Sequence, residues 1–328
     1  MAGPRRALLI VALLALVALL ALGTALGFGS VATPPGAVLD ALLGQGGPLV
    51  QAVVVELRLP RALAAFAVGG LLALAGVLMQ VLLRNPLADP YVLGVSGGAA
   101  VGALLALALG AGSVAAHGNA FLGALASTLL VFALAHSRGG WTPTRLLLTG
   151  VVVAAGWAAL IGLALALAPD GRLRTMLFWL MGDLGYAEHP RAALAVLALA
   201  LAATLPFARE LNVLARGAPE ARALGVAVQP LTLGIYVLAS LATAVAVTQG
   251  GSIGFVGLVV PHMLRLVAGA DHRVLLPAAV LGGGALLVVA DTLARTLMAP
   301  LLLPVGVVTA ALGVPLFLFL LNRSRSPV

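Results

Sequence analysis

Ten apolar runs set the terms for this chain: Ala7–Phe28, Ala62–Leu83, Tyr91–Gly110, Ala120–Ala135, Leu146–Ala168, Ala192–Phe207, Leu231–Thr248, Ile253–Val267, Leu275–Met298 and Val305–Leu321. Most are about 16–24 residues long, near the roughly 20 that a helix rising 1.5 Å per residue needs to cross a bilayer core. Strands of a membrane barrel would instead alternate in character over about 10 residues. The sequence therefore predicts an all-α polytopic membrane protein of about ten transmembrane helices, read as a single transmembrane domain over residues 1–328. A soluble fold is out of reach: 62% of the residues are hydrophobic and 9% are charged, where a soluble domain carries about 25% charged residues.

Charge placement predicts orientation, because cytoplasmic loops of membrane proteins hold the excess of basic residues. All 18 basic residues are arginine. With the N-terminus inside, Arg58, Arg61, Arg172, Arg174, Arg191 and Arg295 fall on or near the outer side. The others fall on the cytoplasmic side, with both termini. The N-terminus resembles a signal peptide, but its apolar run from Ala7 to Phe28 outlasts an h-region of about 7–15 residues, so it reads as an uncleaved first span. The net charge of +8 suits loops beside anionic headgroups, and nucleic acid is not an expected partner. The chain has no cysteine, which excludes disulfides and thiolate metal sites.

Several stretches depart from plain spans. Gly250–Arg273 opens on glycines, runs about eight apolar residues, meets Pro261 and turns charged at Arg265. That is too short to span, and interrupted segments of this kind line cavities, where freed backbone groups avoid lipid. Arg84–Gly98 makes a tight turn with two prolines and Asn85, and Pro90 suits the first turn of the next helix. Gly94, Gly98 and Gly102 then recur every four residues, a small face for close helix packing. The first outer loop, Gly29–Arg61, has room for a short helix around Ala37–Leu43. Thr175–Met181 is apolar but short, an outer, interfacial or cavity-lining helix, and Trp179 and Tyr186 fit an interface belt. Arg209–Pro230 is the most water-compatible stretch, with two short helices broken at Gly217-Ala218-Pro219 and closed by Gly225 as a C-cap. It is either a solvated connector or a docking surface carrying Ala221, Leu224 and Val226 on one face. A faint echo links Gly76 and Gly257, each eight residues before an arginine and each followed by an Ala-Asp pair. In so simple a composition it carries no weight alone.

Ionisable residues inside spans mark function by default. Asp291 and Arg295 stand four apart on one helical face, as an internal ion pair or with Arg295 free for an acidic partner. His262 is a helix-end residue or a ligand. Catalytic signatures such as H-E-x-x-H, G-x-S-x-G and the P-loop are absent from the sequence, and the five scattered histidines argue against a metal site. The spans carry glycine, alanine and valine with almost no charge, which suits passage of a large solute without tight binding. An ion-coupled carrier would show buried carboxylates at the midplane. A pump of this composition needs an external motor. A motor-independent secondary carrier or channel is the alternative, and an intramembrane enzyme is a third class.

The motifs RLPR (Arg58–Arg61), GxxxQxxxRNPLADPxxLGVSGGA (Gly76–Ala99), GSIGFVGLVVPHMLR (Gly251–Arg265), DHRVLLP (Asp271–Pro277), ADTLAR (Ala290–Arg295) and LPVGVVTAALGVP (Leu303–Pro315) resemble the FecCD-type permeases of binding-protein-dependent ABC importers. That family carries ferric siderophores, haem or vitamin B12. The resemblance implies ten helices per subunit, a homodimer with the pathway between copies, two cytoplasmic ATPase subunits that bind ATP and Mg, and a periplasmic binding protein. It implies an inner-membrane location, no cofactor or metal on this chain, and no catalysis by it. By the same resemblance Arg58, Arg61 and Arg295 dock the binding protein. Arg216, Glu220, Ala221, Leu224 and Gly225 belong to the coupling helices at the ATPase. Asn85, Pro86, Leu87, Gly94, Ser96, Gly251, Gly254, Pro261 and His262 belong to the gates and pathway. Leu302 stands where family members often carry an acid, which puts any role for that acid in question.

Overall fold

The computed structural model describes residues 4–29, 32–136, 142–185 and 190–323. Tyr186, and Arg138 and Arg325 among the arginines assigned to the cytoplasmic side, lie outside the described residues. In chain order the helices begin with α1 (Pro4–Gly27), α2 (Pro35–Leu42), α3 (Pro48–Gln51), α4 (Leu59–Leu82) and α5 (Val95–Ala108). Then follow α6 (Ser113–Ala135), α7 (Pro143–Ala166), α8 (Asp170–Met181), α9 (Pro190–Thr204), α10 (Ala208–Leu214) and α11 (Ala218–Ala223). The last four are α12 (Val228–Gly250), α13 (Val256–Ala268), α14 (His272–Thr296) and α15 (Val305–Arg323). Among the described residues, seven helical segments are long and apolar enough to cross a membrane, and three shorter apolar helices, within α5, α13 and α15, account for the rest of the ten runs.

The second span starts earlier than its apolar run implied. Pro48–Gln51 leads through a π-helical stretch, Ala52–Arg58, straight into α4, so the RLPR phrase belongs to a helix and not to the preceding loop. Pro60 explains the widened turns: it donates no N–H and its ring crowds the carbonyl four residues back. The backbone answers with a longer bond, Leu59 N–H to the Val54 carbonyl, the i→i−5 pattern of a π turn.

The helix α4 is the hub. In its span 89% of the most apolar window is buried, against 11% in α1 and 17% in α7. Glycines permit this crowding, because small residues let helix backbones approach within a membrane. A Cβ added at Gly69 would lie 2.2 Å from the Gly283 carbonyl oxygen on α14, and one at Gly76 would lie 1.9 Å from the Gly257 carbonyl oxygen on α13. The echo between Gly76 and Gly257 is thus a physical contact between the two segments that share it. The Gly94–Gly102 face is also a packing face: a Cβ at Gly98 would lie 2.3 Å from the Gly123 carbonyl oxygen on α6.

The short helix α8 closes the end of α5. Arg172 of α8 donates to the Ala108 carbonyl and, at 3.4 Å, to that of Leu107, satisfying the last carbonyls of α5. Trp179, expected in an interface belt, is 7% exposed. Its carbonyl packs against Gly251, where an added Cβ would stand 2.3 Å from it.

Candidate functional site

Charged side chains converge where α1 ends. Asp291 on α14 is 1% exposed. Its Oδ1 accepts from Arg61 Nε at 3.0 Å and Nη2 at 2.8 Å, and its Oδ2 accepts from Arg295 Nε at 3.0 Å. Arg61 also stands 3.6 Å from Asp183. One carboxylate thus serves two guanidiniums inside an apolar bundle, where a charge is tolerated only when paired. Arg58 turns toward α1: its Nη1 donates to the carbonyls of Leu26 and Gly27 at 2.7 and 3.2 Å and to Thr33 Oγ1 at 3.1 Å. Arg295 Nη2 reaches the Ala25 carbonyl at 3.5 Å. A helix C-terminus holds orphan carbonyls and partial negative charge, so these arginines cap α1. Arg58 and Arg295, placed on or near the outer side by the charge pattern, are 6% and 9% exposed, drawn in by those carbonyls and Asp291. Arg61 keeps 16% of its side chain exposed beside Asp183 at 21%.

The break between α12 and α13 is held by the hairpin that follows α4. Gly251 and Phe255 both have positive φ, at 68° and 69°, and Phe255 adopts the left-handed helical conformation. Phe255 accepts this unfavourable geometry beside Gly313 of α15, where an added Cβ would stand 2.6 Å from the Phe255 Cβ. Between them, Ile253 has lost its helical partners. Tyr91 supplies them: its hydroxyl accepts from Ile253 N–H and donates to the Ile253 carbonyl, both at 3.0 Å. Tyr91 sits in a 3-10 turn, Pro90–Leu93, which Asp89 caps by accepting from Tyr91 N–H at 2.8 Å. Pro90 therefore opens this turn and α5 starts later, at Val95. Gly94, at φ 71°, offers its carbonyl to Ser127 Oγ at 2.8 Å, and that hydroxyl accepts from Trp157 Nε1 at 2.8 Å.

Of the residues assigned to the gates, Asn85, Pro86 and Leu87 are exposed, and Asn85 Oδ1 accepts from Leu87 N–H at 2.9 Å. Ser96 lies half-buried in the first turn of α5. Gly254 has open space where a Cβ would be. Pro261 is buried inside α13. His262, expected at a helix end, lies within α13, its ring edge-on to Phe317 of α15 at 6.3 Å. The break and the hairpin are thus brought together by Tyr91, while Pro261 and His262 lie further along α13.

The helix pair read from Arg209–Pro230 is present as α10 and α11. Gly217 at φ 145° separates them and Gly225 at φ 81° ends the second. Val226 N–H bonds to the Ala221 carbonyl at 2.9 Å and Gly225 N–H to that of Arg222 at 3.0 Å, the paired bonds of a Schellman C-cap. Arg216, Glu220, Leu224 and Gly225 are exposed, and Leu224 leaves 67% of its surface open. Ala221 does not share that face. It is fully buried on the inner side of α11, whereas Leu224 stands at the C-cap, past the last helical residue Ala223.

The functional contacts that sequence reasoning missed are Tyr91, the capping role of Arg58, and the Gly76–Gly257 crossing. The repeated glycine-to-arginine spacing was the available signal for the last.

Against known proteins, residues 13–323 match the model of the FecCD transport family. The chain is 46% identical over 279 residues to a cobalamin import system permease protein of Halobacterium salinarum, covering 83% of this chain and 74% of that one. It is 43% identical over 279 residues to a hemin transport system permease protein of Yersinia pestis, covering 82% and 83%. Its structure is similar to that of a transporter described as metal-chelate type ABC in an inward-facing conformation, with a TM-score of 0.83, 31% identity, and 96% and 99% of the two chains covered. With nearly its whole length matched, the chain belongs to the FecCD transport family, a family of transport permeases.

Proposed function

We propose that this chain is the membrane half of an ATP-driven importer for a metal chelate of the haem, ferric siderophore or cobalamin class. Two copies enclose the pathway. Two cytoplasmic ATPase subunits hold ATP and Mg, and a periplasmic binding protein delivers the chelate. The assembly sits in a bacterial inner membrane with both termini cytoplasmic. The excess of arginine at the end carrying Arg6, Arg84, Arg265 and the α10–α11 pair supports that orientation. The substrate class is carried over from the relatives.

The observation that carries the reading is the exposed face of the short helix pair. Leu224, 67% exposed, stands among Arg216 and Glu220 at the basic end, an apolar anchor with a charged rim that suits a partner's cleft. A push there reaches α12, on which α11 packs and which itself packs on the Tyr91 turn and leads into the break at Ile253, and so moves the hairpin and the broken helix as one gate. At the other end, Arg61 and Asp183 form the accessible rim for the binding protein, with Arg58 and Arg295 as positioning residues beneath. In vesicles holding the permease, ATPase and binding protein, Leu224→Glu is expected to abolish chelate uptake while ATP hydrolysis continues. Uptake at the wild-type rate in that variant would sink the coupling role.

A further inference from the structure

A cavity of about 800 Å³ opens where α4 and α13 end, lined by Arg6, Arg84, Arg216 and Arg265 together with Asp271 and His272. The two helices cross at Gly76 and Gly257, and eight residues beyond the crossing each delivers an arginine to the cavity. Among the described residues, Arg84, Arg216 and Arg265 make no ion pair. The nearby carboxylate of Asp271 is already engaged, accepting from Asn212 Nδ2 at 2.9 Å and Arg273 N–H at 3.1 Å. Burial pushes Asp271 up, but those bonds and the charge of Arg273 hold it below the ordinary carboxylate range. Four arginines therefore line the cavity with one committed acid, Arg6 among them donating from Nη2 to the Val267 carbonyl at 3.3 Å.

Two further features mark the cavity as a built site. Arg84 adopts the left-handed conformation at φ 48°. It closes α4 as a Schellman cap, with Asn85 N–H on the Gln80 carbonyl at 3.1 Å and Arg84 N–H on that of Val81 at 3.2 Å. Glycine suits this position best, and any side chain here is strained, so the arginine is kept against its backbone preference. His272, 2% exposed, is fixed by Asn212: Oδ1 of Asn212 accepts from His272 N–H at 2.9 Å and lies 2.6 Å from Nδ1. Its other nitrogen, Nε2, is buried with no hydrogen-bond partner among the described residues.

The surroundings point to the occupant. Leu8 and Leu9, just after Arg6, are 72% and 69% exposed, and Leu266 and Val267 on the cavity wall are 64% and 59% exposed. A basic pocket beside bare aliphatic surface fits a phosphate that carries acyl chains. We propose that this cavity binds the phosphate headgroup of an anionic phospholipid from the cytoplasmic leaflet, through Arg84 and Arg265 with Arg6 at its rim. The leaflet, but not the binding, rests on the orientation proposed above.

The test uses the purified full chain in mild detergent, titrated with short-chain phosphatidylglycerol, short-chain phosphatidylcholine and inorganic phosphate. Phosphatidylglycerol is expected to bind and to raise the unfolding temperature, and the other two to do neither. Arg84→Gly relieves the backbone strain, so it is expected to unfold no earlier than wild type while binding the lipid about fivefold more weakly, as is Arg265→Gln. Arg145→Gln, outside the cavity, is expected to bind as wild type. Equal effects of the two lipids, or binding of inorganic phosphate as tight as that of the lipid, would overturn the proposal. So would lipid binding untouched in Arg84→Gly and Arg265→Gln, including the case in which those variants instead lose an ATPase partner. Loss of uptake in these variants has no bearing on the outcome, which keeps this test separate from that of the importer reading.

Discussion

Replacing Asp291 by asparagine perturbs the paired charges at the end of α1 with little change of shape. The wild-type carboxylate takes Arg61 through two nitrogens and Arg295 through one, at 2.8–3.1 Å. Asparagine keeps one acceptor oxygen, but its amide nitrogen points N–H groups at guanidinium N–H groups. Two arginines, with 16% and 10% of their side chains exposed, then lose their shared counter-charge. Removing one partner of a buried pair costs about 3–5 kcal/mol, whereas replacing the set by apolar groups is often close to neutral. Asp291→Asn is therefore expected to lower unfolding free energy by about 3 kcal/mol. The double change Asp291→Leu with Arg295→Met is expected to recover much of that, since Arg61 still has Asp183 within 3.6 Å. Reversible unfolding in mixed micelles of increasing denaturing-detergent fraction measures both. An Asp291→Asn protein within about 0.5 kcal/mol of wild type, the usual range for surface changes, would refute the reasoning. So would a double variant less stable than the single.

Other predictions follow from single contacts. Gly76→Ala places a methyl 1.9 Å from the Gly257 carbonyl oxygen, so overpacking should cost about 1–3 kcal/mol. Gly156→Ala on α7, with nothing within 4 Å, should be neutral or stabilising by about 0.5–1 kcal/mol, and the same unfolding assay ranks the pair. Tyr91→Phe removes the hydroxyl that serves both backbone groups of Ile253 and should cost about 1–3 kcal/mol. It should also speed hydrogen exchange at Ile253, and unchanged exchange there would contradict the tie. Arg61→Glu should weaken capture of the binding protein in a pull-down more than Arg174→Glu does, and equal losses would count against the docking rim.

The order of helices was legible because a membrane span announces itself by length and apolarity alone. Even the short pieces declared themselves: the helix pair at 209–230 was readable from Gly217, Pro219 and Gly225, whose backbone demands are local. Partnership was not legible in the same way. RLPR reads as a pair of outward cations until Arg58 is seen to cap α1, 31 and 32 residues away in sequence. Tyr91 and Ile253 are 162 residues apart, and neither sequence neighbourhood hints at the other. Ala221 was placed on the outer face because six residues of helix have no hydrophobic period long enough to show which side is buried. The Gly76–Gly257 echo was visible, yet in a chain with 40 glycines a spacing gains meaning only once the two segments are found in contact.

On the function proposed here, the chain moves a chelate only when a partner ATPase works on it. The most direct measurement is uptake of a labelled chelate into sealed vesicles holding the permease with its binding protein outside, with and without the ATPase and ATP within. Uptake against a gradient is expected to require the ATPase and to stop with a non-hydrolysable nucleotide. Sustained uptake by the permease without the ATPase would contradict it and restore the motor-independent carrier.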